Sequence, residues 1–499
     1  MNKIYMIMYS VNEKKGGGTQ AMLARTKLFR DHGVMADIAT FDYNPDYKKM
    51  ENRLKAYSKM HALASILNVY DYYKELNTNG NNDIRNDASI QETKHDSKYL
   101  TKGKTLYFLD GEIVLAKHFS ENGDVDFVEY YDKSEKVKER HEFIDNRLHR
   151  KVKYVDQKII SDRIYTEEGF CFVTRFYEPD TENITGIFLF EKQTGKTFSF
   201  KNEREFGAYW LTEVCKNDVK NNVKPNLIID GQGSLPRILL VPKHLAKRYY
   251  ILHTNHFQSP YKIGSPIARP YDYVFKHLKE LDGLIVLTEK QKKDIEIQFG
   301  RHKNIFVIPN YSRILDIAEI EKNPYKVTLV GRLAKQKAIH RAIEMFRFVV
   351  EKEQNAILEI FGEGSEKEFL QKEIKKHKLE KNVFLRGHSA DVQKEMQESI
   401  VTVLTSIFEG FGLVVAESLL NCTPVVSLDC NYGPSDIISH GEDGYIETDL
   451  KKMADRVLFF IKNPDYAIKM GKRGRKNMIQ KYSSEAIFKK WSVLLDRDF

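Results

Sequence analysis

Two glutamates eight positions apart, joined by a glycine-bearing loop, are the strongest chemical signal in the chain. The segment 409–417 reads EGFGLVVAE, with Glu409 at its start and Glu417 at its end. Glycines at the start of an apolar helix let backbone N–H groups approach an anion, and the helix dipole favours negative charge there. We expect the segment to bind a diphosphate, with Glu417 receiving ribose hydroxyls and Glu409 sugar hydroxyls. A plain helix start with incidental carboxylates is the alternative interpretation.

Two cations follow a predicted strand at 327–330. Arg332 and Lys337 lie in the segment GRLAKQK, directly after that apolar run. Open α/β sheets bind ligands at the carboxyl ends of their strands, and two fixed cations there could neutralise a departing phosphate. Ordinary loop cations are the alternative. The loop FGEGS at 361–365 also follows a predicted strand and borders the same site or is simply a turn.

Three consecutive glycines at 16–18 lie between the first predicted strand and a helical stretch. They do not form the pattern G-x-G-x-x-G, so a nicotinamide or flavin site is only weakly indicated. Glycines still permit close approach of the backbone to a ligand. We therefore expect Gly17 and Gly18 to line a substrate cleft.

Two histidines, His253 and His256, lie within four residues at the end of the apolar run 249–252. A histidine at a strand end often has a structural role, but two so close together are also typical of a catalytic site. A zinc site would need further ligands at suitable spacing, and the sequence offers none.

The remaining patterns argue against metals, disulfides and membrane spans. Asp124 and Asp126 form a D-x-D pair, which we interpret as a hairpin turn because Asn122-Gly123 precedes it. The four cysteines show no C-x-x-C pair, so a reducing compartment is expected. No run approaches the ~18 apolar residues of a spanning helix, and the N-terminus lacks a signal-peptide core. These patterns predict a cytoplasmic protein that needs no metal or other cofactor.

The net charge of +9 and the sequence pI near 8.9 bear on the partner. A solvated basic surface explains them, and so does a polyanionic partner. A phosphate-rich polymer or an anionic membrane ranks above nucleic acid, because no nucleic-acid-binding module is recognisable.

The elements that position these residues follow an α/β pattern that is interrupted once. Strand, helix and strand patterns at the start predict a parallel α/β unit, and short alternating runs with turn signals predict antiparallel hairpins from about 100 to 200. Regular α/β alternation resumes and ends in a basic amphipathic stretch. We predict an α/β protein with two Rossmann-like domains, its last helix a candidate to return to the first domain, and with these limits: 1–85 and 205–310 for the first domain, 86–204 for a β-rich insertion, 311–499 for the second domain.

Together these residues resemble the family 4 retaining glycosyltransferases of the GT-B type, in which the glycine loop, the two cations and the paired glutamates occur in this order. A closer resemblance is to the bacterial wall teichoic acid α-glycosyltransferases, and four segments carry it: FDY at 41–43, FIDN at 143–146, HTNH at 253–256 and YGPSD at 432–436.

The resemblance implies a UDP-sugar donor and a role for each matched residue, with no enzyme nucleophile and no metal. Arg332 and Lys337 would hold the diphosphate, Glu409 the sugar and Glu417 the ribose, and His253 would lie near the reacting carbon. The remaining donor contacts would come from Gly17, Gly18, Gly410, Phe411, Gly412 and Leu413.

The resemblance also implies an anionic polyol-phosphate polymer as acceptor, contacted by His256, Lys262 and Arg269. Glucose and glycerol phosphate are slightly favoured over N-acetylglucosamine and ribitol phosphate. The β-rich insertion would assemble a homotrimer, and peripheral association would place it at the inner face of the membrane. Three alternatives stay open: transfer to Ser/Thr of a serine-rich protein, an epimerase or phosphorylase of the same fold, and a non-catalytic nucleotide-sugar-binding subunit.

Overall fold

The computed structural model describes residues 2–12, 17–78, 94–231, 233–312, 314 and 320–496. Gly16, most of the polar stretch at 77–86 and the predicted domain limit at 85 lie outside these ranges.

Strands and helices alternate at both ends of the chain, and a long run of strands separates them. In chain order the strands are β1 (Asn2–Ile7), β2 (Met35–Thr40), β3 (Ile66–Asn68), β4 (Ser97–Thr101), β5 (Lys104–Leu109), β6 (Glu112–Phe119), β7 (Val125–Tyr131), β8 (Val137–Ile144), β9 (Arg147–Val155), β10 (Lys158–Tyr165), β11 (Cys171–Tyr177), β12 (Ile184–Phe190), β13 (Thr197–Phe200), β14 (Lys224–Ile229), β15 (Lys247–Leu252), β16 (Gly283–Val286), β17 (Ile305–Val307), β18 (Asn323–Val330), β19 (Ile357–Phe361), β20 (Val383–Gly387), β21 (Ser399–Leu404), β22 (Val425–Leu428) and β23 (Gly444–Glu447). The α-helices are α1 (Gly17–Asp31), α2 (Tyr47–Ala56), α3 (Val69–Leu76), α4 (Glu203–Lys220), α5 (Leu235–Ile238), α6 (Arg269–Lys276), α7 (Glu289–Phe299), α8 (Ile339–Val350), α9 (Lys367–Lys376), α10 (Val392–Glu398), α11 (Leu413–Leu420), α12 (Pro434–Ile437), α13 (Leu450–Lys462), α14 (Pro464–Tyr482) and α15 (Ser484–Leu495).

The first sheet is parallel and has the order β17-β16-β15-β14-β1-β2-β3. Its strands are apolar on both faces because helices cover both sides; Ile4 to Ile7 of β1, for example, are all buried. The glycine run differs from the expected loop, since Gly17 and Gly18 already form the first turn of α1.

The insertion is one antiparallel sheet of ten strands, β4 to β13, in sequential order. Its outer part has a small core built around Leu115, Val128 and Phe143. Near the first domain, buried Arg175 pairs with Asp162 and donates to Tyr70 Oη at 3.0 Å. This charged network, which is buried and internally paired, joins the insertion to α3.

The second parallel sheet has the order β20-β19-β18-β21-β22-β23. The α/β alternation expected from the sequence is confirmed here, with the strand predicted at 327–330 forming part of β18, and β23 is a short last strand of four residues. The expected arrangement of two Rossmann-like domains with an antiparallel insertion is also confirmed.

The last helix, α15, packs on α1 of the first domain. Trp491 lies edge-on to Phe29, with ring centroids 5.4 Å apart, and Phe488 stacks on His32. One continuous hydrophobic core therefore includes residues from both domains, such as Met22, Phe411 and Trp491. Among the described residues, no helix combines the length and the apolar character needed to cross a bilayer.

Candidate active site

Partly buried Lys337 and buried Glu409 form an ion pair at the carboxyl ends of the strands of the second sheet. They follow the neighbouring strands β18 and β21, so parallel pairing brings their segments together. Lys337 Nζ lies 2.6 Å from Glu409 Oε1, and Ser406 Oγ donates to the same oxygen at 2.6 Å. Only 6% of Glu409 is exposed. The carboxylate is thus held in one position, with a cation beside it.

Gly410 brings the first domain into contact with this pair. A Cβ atom at Gly410 would lie 1.8 Å from the carbonyl oxygen of His253. Because no side chain fits there, glycine is required for the loop after β21 to rest on the end of β15. Glu409, which precedes Gly410, and His253 therefore lie near each other although they belong to different domains.

His253 is paired with the carboxylate of Asp230, which is in turn paired with the guanidinium of Arg25. Asp230 follows β14, the neighbour of β15, and its Oδ1 lies 2.7 Å from His253 Nε2 and 2.7 Å from Arg25 Nη1. Burial would raise the pKa of Asp230, but Arg25 and His253 outweigh it and the pKa is lowered. An ionised carboxylate only accepts hydrogen bonds, so His253 Nε2 carries the proton that it donates.

The start of α11 lies next to the start of α1. Its N-cap is Gly412, with φ +86° and no side chain to cap the helix. Val415 N donates to Gly412 O at 2.9 Å, so the amides of Leu413 and Val414 are the ones that an external acceptor would satisfy. A Cβ atom at Gly17 would lie 3.9 Å from Leu413 Cδ1. Phe411 is buried against Tyr482. The two predicted glycine segments therefore lie against each other where the two domains meet.

Glu417 lies one turn further along α11. The residue is exposed to solvent. The protein around its carboxyl group nevertheless desolvates it and raises its pKa to about 7, although the positive charge of Lys337 acts to lower the pKa. A carboxyl group with this pKa changes its charge near neutral pH.

Arg332 is exposed at the end of β18, on the same edge as Lys337. The FGEGS loop packs against its segment: Leu333 N donates to Glu363 O at 2.9 Å, and a Cβ at Gly362 would lie 2.0 Å from Gly331 O. The loop after β19 therefore supports the cation segment.

The three predicted acceptor residues have different surroundings. Lys262 and Arg269 are exposed in the first domain. His256 is fully buried; its ring is parallel to that of Tyr432, centroids 6.0 Å apart, and burial lowers its pKa to about 3. His256 thus offers no surface to a polymer here and packs at the junction of the two domains.

Three supporting residues were missed in the sequence analysis: Asp230, Arg25 and Ser406. Asp230 could have been found, because it directly follows a buried strand, where ligand-binding residues concentrate. Ser406 and Arg25 carry no signal in the sequence. Asp124 accepts a hydrogen bond from Asn146 Nδ2 at 2.8 Å, as expected of a turn residue. Within the described ranges, no group of three His, Cys, Asp or Glu side chains could hold a metal ion.

Comparison with known proteins shows the family of the chain. Residues 310–477 match the family described as glycosyl transferases group 1. The chain is 31% identical, over 99% of its length and 100% of the relative's, to the poly(ribitol-phosphate) α-N-acetylglucosaminyltransferase of Staphylococcus aureus. It is 26% identical, over 99% of its length and 75% of the relative's, to the poly(glycerol-phosphate) α-glucosyltransferase of Bacillus subtilis.

The structure also matches a solved one over its whole length. A variant of S. aureus TarM in complex with Fondaparinux, α-GlcNAc-glycerol and UDP superposes with a TM-score of 0.88 at 30% identity, over 100% of both chains. The chain therefore belongs to the group 1 glycosyltransferases of the GT-B fold, in the family that includes these poly(ribitol-phosphate) and poly(glycerol-phosphate) α-glycosyltransferases.

Proposed function

We propose that this protein transfers a hexose from a UDP-sugar to a hydroxyl group of an anionic polyol-phosphate polymer, with retention of the α configuration. The observation that carries the proposal is the meeting of the Lys337–Glu409 pair with His253 through Gly410. It joins residues of both domains at the cleft, where a donor bound to one domain would meet an acceptor bound to the other.

Each site residue has a role in this reaction. Lys337 and Arg332 bind the donor diphosphate and stabilise the negative charge that grows as UDP leaves. Glu409 accepts hydrogen bonds from sugar hydroxyls, Glu417 from ribose hydroxyls, and the first-turn amides of α11 bind phosphate oxygens. His253, fixed by Asp230, lies beside the reacting carbon.

The chemistry needs neither an enzyme nucleophile nor a metal. The acceptor oxygen bonds to the anomeric carbon on the face from which UDP leaves, and the bond between that carbon and the phosphate oxygen breaks. The hydroxyl proton passes to the departing phosphate, so atoms and charge balance.

Two donor–acceptor pairs fit the family. The sequence analysis slightly favours glucose and glycerol phosphate, whereas the relative with the higher identity is named for N-acetylglucosamine and ribitol phosphate. Exposed Lys262 and Arg269 would position the polymer through its phosphates. A trimer assembled through the β4–β13 sheet, acting in the cytoplasm at the membrane face, completes the proposal.

A UDP-release assay tests it directly. UDP-glucose and UDP-N-acetylglucosamine are each combined with poly(glycerol phosphate) and poly(ribitol phosphate), giving four reactions. We expect one polymer to stimulate UDP release from one donor. Glu409→Ala should abolish the stimulated rate, whereas Glu380→Ala, at an exposed position outside the cleft, should leave it unchanged.

The products distinguish the remaining alternatives. Sugar linked to the polymer supports the proposal, and free epimerised sugar or sugar phosphate contradicts it. Stimulation by a Ser/Thr-rich peptide, with neither polymer effective, would replace the acceptor. Donor binding without turnover under all conditions would indicate a binding subunit.

A further inference from the structure

The basic stretch near the C-terminus forms one continuous surface on α14. Four exposed cations, Lys469, Lys472, Arg473 and Lys476, follow one another at helical spacing, which places them on one face. Between Asp465 and Glu485 the sequence contains no acidic residue. None of the four cations forms an ion pair with a carboxylate in the parts of the chain that the structure describes.

Apolar side chains flank these cations at both ends. Tyr466 is 42% exposed and lies edge-on to Phe459, which is 37% exposed, with ring centroids 5.1 Å apart. Ile479 is 38% exposed at the other end. We call these three residues and the four cations the α14 surface; it is about 20 Å long at 1.5 Å per helical residue.

The opposite face of α14 fixes the orientation of this surface. Ala467, Met470 and Met478 are buried in the protein, and a Cβ at Gly471 would lie 2.0 Å from the carbonyl oxygen of Cys422. The helix therefore cannot roll to bury its cations. Because α14 packs on α11 through this buried face, the α14 surface points away from α11 and the candidate active site.

We infer that the α14 surface docks the protein on an anionic lipid bilayer. Basic side chains are attracted to the negative surface of such a membrane, and exposed aromatic and aliphatic side chains enter the boundary between headgroups and acyl chains. A polyol-phosphate polymer would pair with the cations but offers nothing to Tyr466, Phe459 and Ile479. The apolar flanks therefore favour a membrane as the occupant.

Vesicle sedimentation with the full chain, without donor or acceptor, tests this surface separately from the proposed transfer. We expect binding to vesicles of phosphatidylglycerol with phosphatidylcholine, weakening with salt, and far weaker binding to phosphatidylcholine alone. Changing Lys469, Lys472, Arg473 and Lys476 together to Gln should lower the partition coefficient by about 10²- to 10³-fold.

A matched variant controls for net charge. Lys367, Lys372, Lys375 and Lys381, exposed on and after α9, changed together to Gln should bind vesicles like the wild type. A second variant, Tyr466→Ser with Ile479→Ser, should weaken vesicle binding several-fold and leave polymer binding unchanged. Thermal melting checks that each variant is folded.

Two results would overturn the inference. One is equal vesicle binding by the two quadruple variants. The other is a loss of affinity for soluble poly(glycerol phosphate) in the α14 variant while its vesicle binding persists, which would assign the surface to the polymer.

Discussion

The role of Asp230 depends on its contact with His253. Its buried carboxylate holds His253 in one orientation, and Arg25 keeps that carboxylate ionised. In the proposed reaction His253 contacts the sugar in one orientation only, so Asp230 would act as a positioning residue.

Asp230→Asn should therefore slow turnover more than it weakens donor binding. The amide can still fill the space, but it no longer requires Nε2 of His253 to be the donor. We expect kcat to fall by about 10- to 100-fold, by analogy with the loss when the carboxylate that orients a metal-ligating histidine is changed, while the donor KM changes less than threefold. Steady-state kinetics with both substrates measure this.

A double-mutant cycle separates positioning from stability. In the His253→Ala background, Asp230→Asn should add little further loss, because the partner that it orients is gone. Fully additive losses would show that Asp230 acts only through the fold.

Glu417 should make donor binding depend on pH near neutrality. Desolvation raises its pKa to about 7, so the group is mainly neutral at pH 6 and mainly ionised at pH 8. Ribose hydroxyls donate more strongly to a carboxylate than to a carboxylic acid, so the donor KM should fall several-fold as pH rises from 6 to 8. Glu417→Gln should flatten this profile. A KM that rises with pH in the wild type would contradict the ribose assignment.

At the level of elements, the site lies where the carboxyl ends of strands from the two parallel sheets come together. The ends of β14 and β15 supply Asp230 and His253, and the ends of β18 and β21 supply Lys337 and Glu409. The loop after β21 contacts the end of β15, and this contact is possible because Gly410 has no side chain.

Gly410→Ala should move the loop after β21 away from the end of β15. The added methyl group would overlap the His253 carbonyl, at 1.8 Å, and relieving the overlap would shift the loop that carries Glu409 relative to the strand end that carries His253. We expect kcat/KM to fall by at least ~100-fold, since displacement of reacting groups by about 1 Å has this effect. Gly233→Ala is the control, because its Cβ would meet nothing within 4 Å. Near-normal kinetics of the Gly410 variant would mean that the contact is not needed for turnover.

For the whole molecule, α15 couples the two domains. It follows α14 of the second domain in sequence but buries Trp491 against Phe29 of the first domain, with Arg25 over the indole ring. The same helix therefore passes close to the residues that support His253.

Trp491→Ala should weaken this coupling. Replacing a buried aromatic side chain with Ala costs about 3–5 kcal/mol in folding free energy. We expect calorimetry to show a lower Tm and a first-domain transition that separates from the second. Val493→Ala, at an exposed position of the same helix, should change stability by less than ~0.5 kcal/mol. A single unshifted transition in the Trp491 variant would show that α15 does not hold the domains together.

Local patterns in the sequence were enough to predict the two α/β domains, the β-rich insertion and the segments that carry Arg332, Lys337, Glu409 and Glu417. The physical reason is that periodicity reports the type of each element, and parallel α/β sheets place functional residues after the carboxyl ends of strands. Segment types and strand ends could therefore be predicted without coordinates.

Only the tertiary structure decided which of these segments meet. Lys337 and Glu409 are 72 positions apart, and their contact depends on the order of strands in the sheet, which periodicity does not encode. His253 and His256 look alike in the sequence, yet one contacts Asp230 and the other is buried beside Tyr432 of the second domain. Their difference arises from the packing of one domain on the other, and long-range packing of this kind is a property of the folded chain.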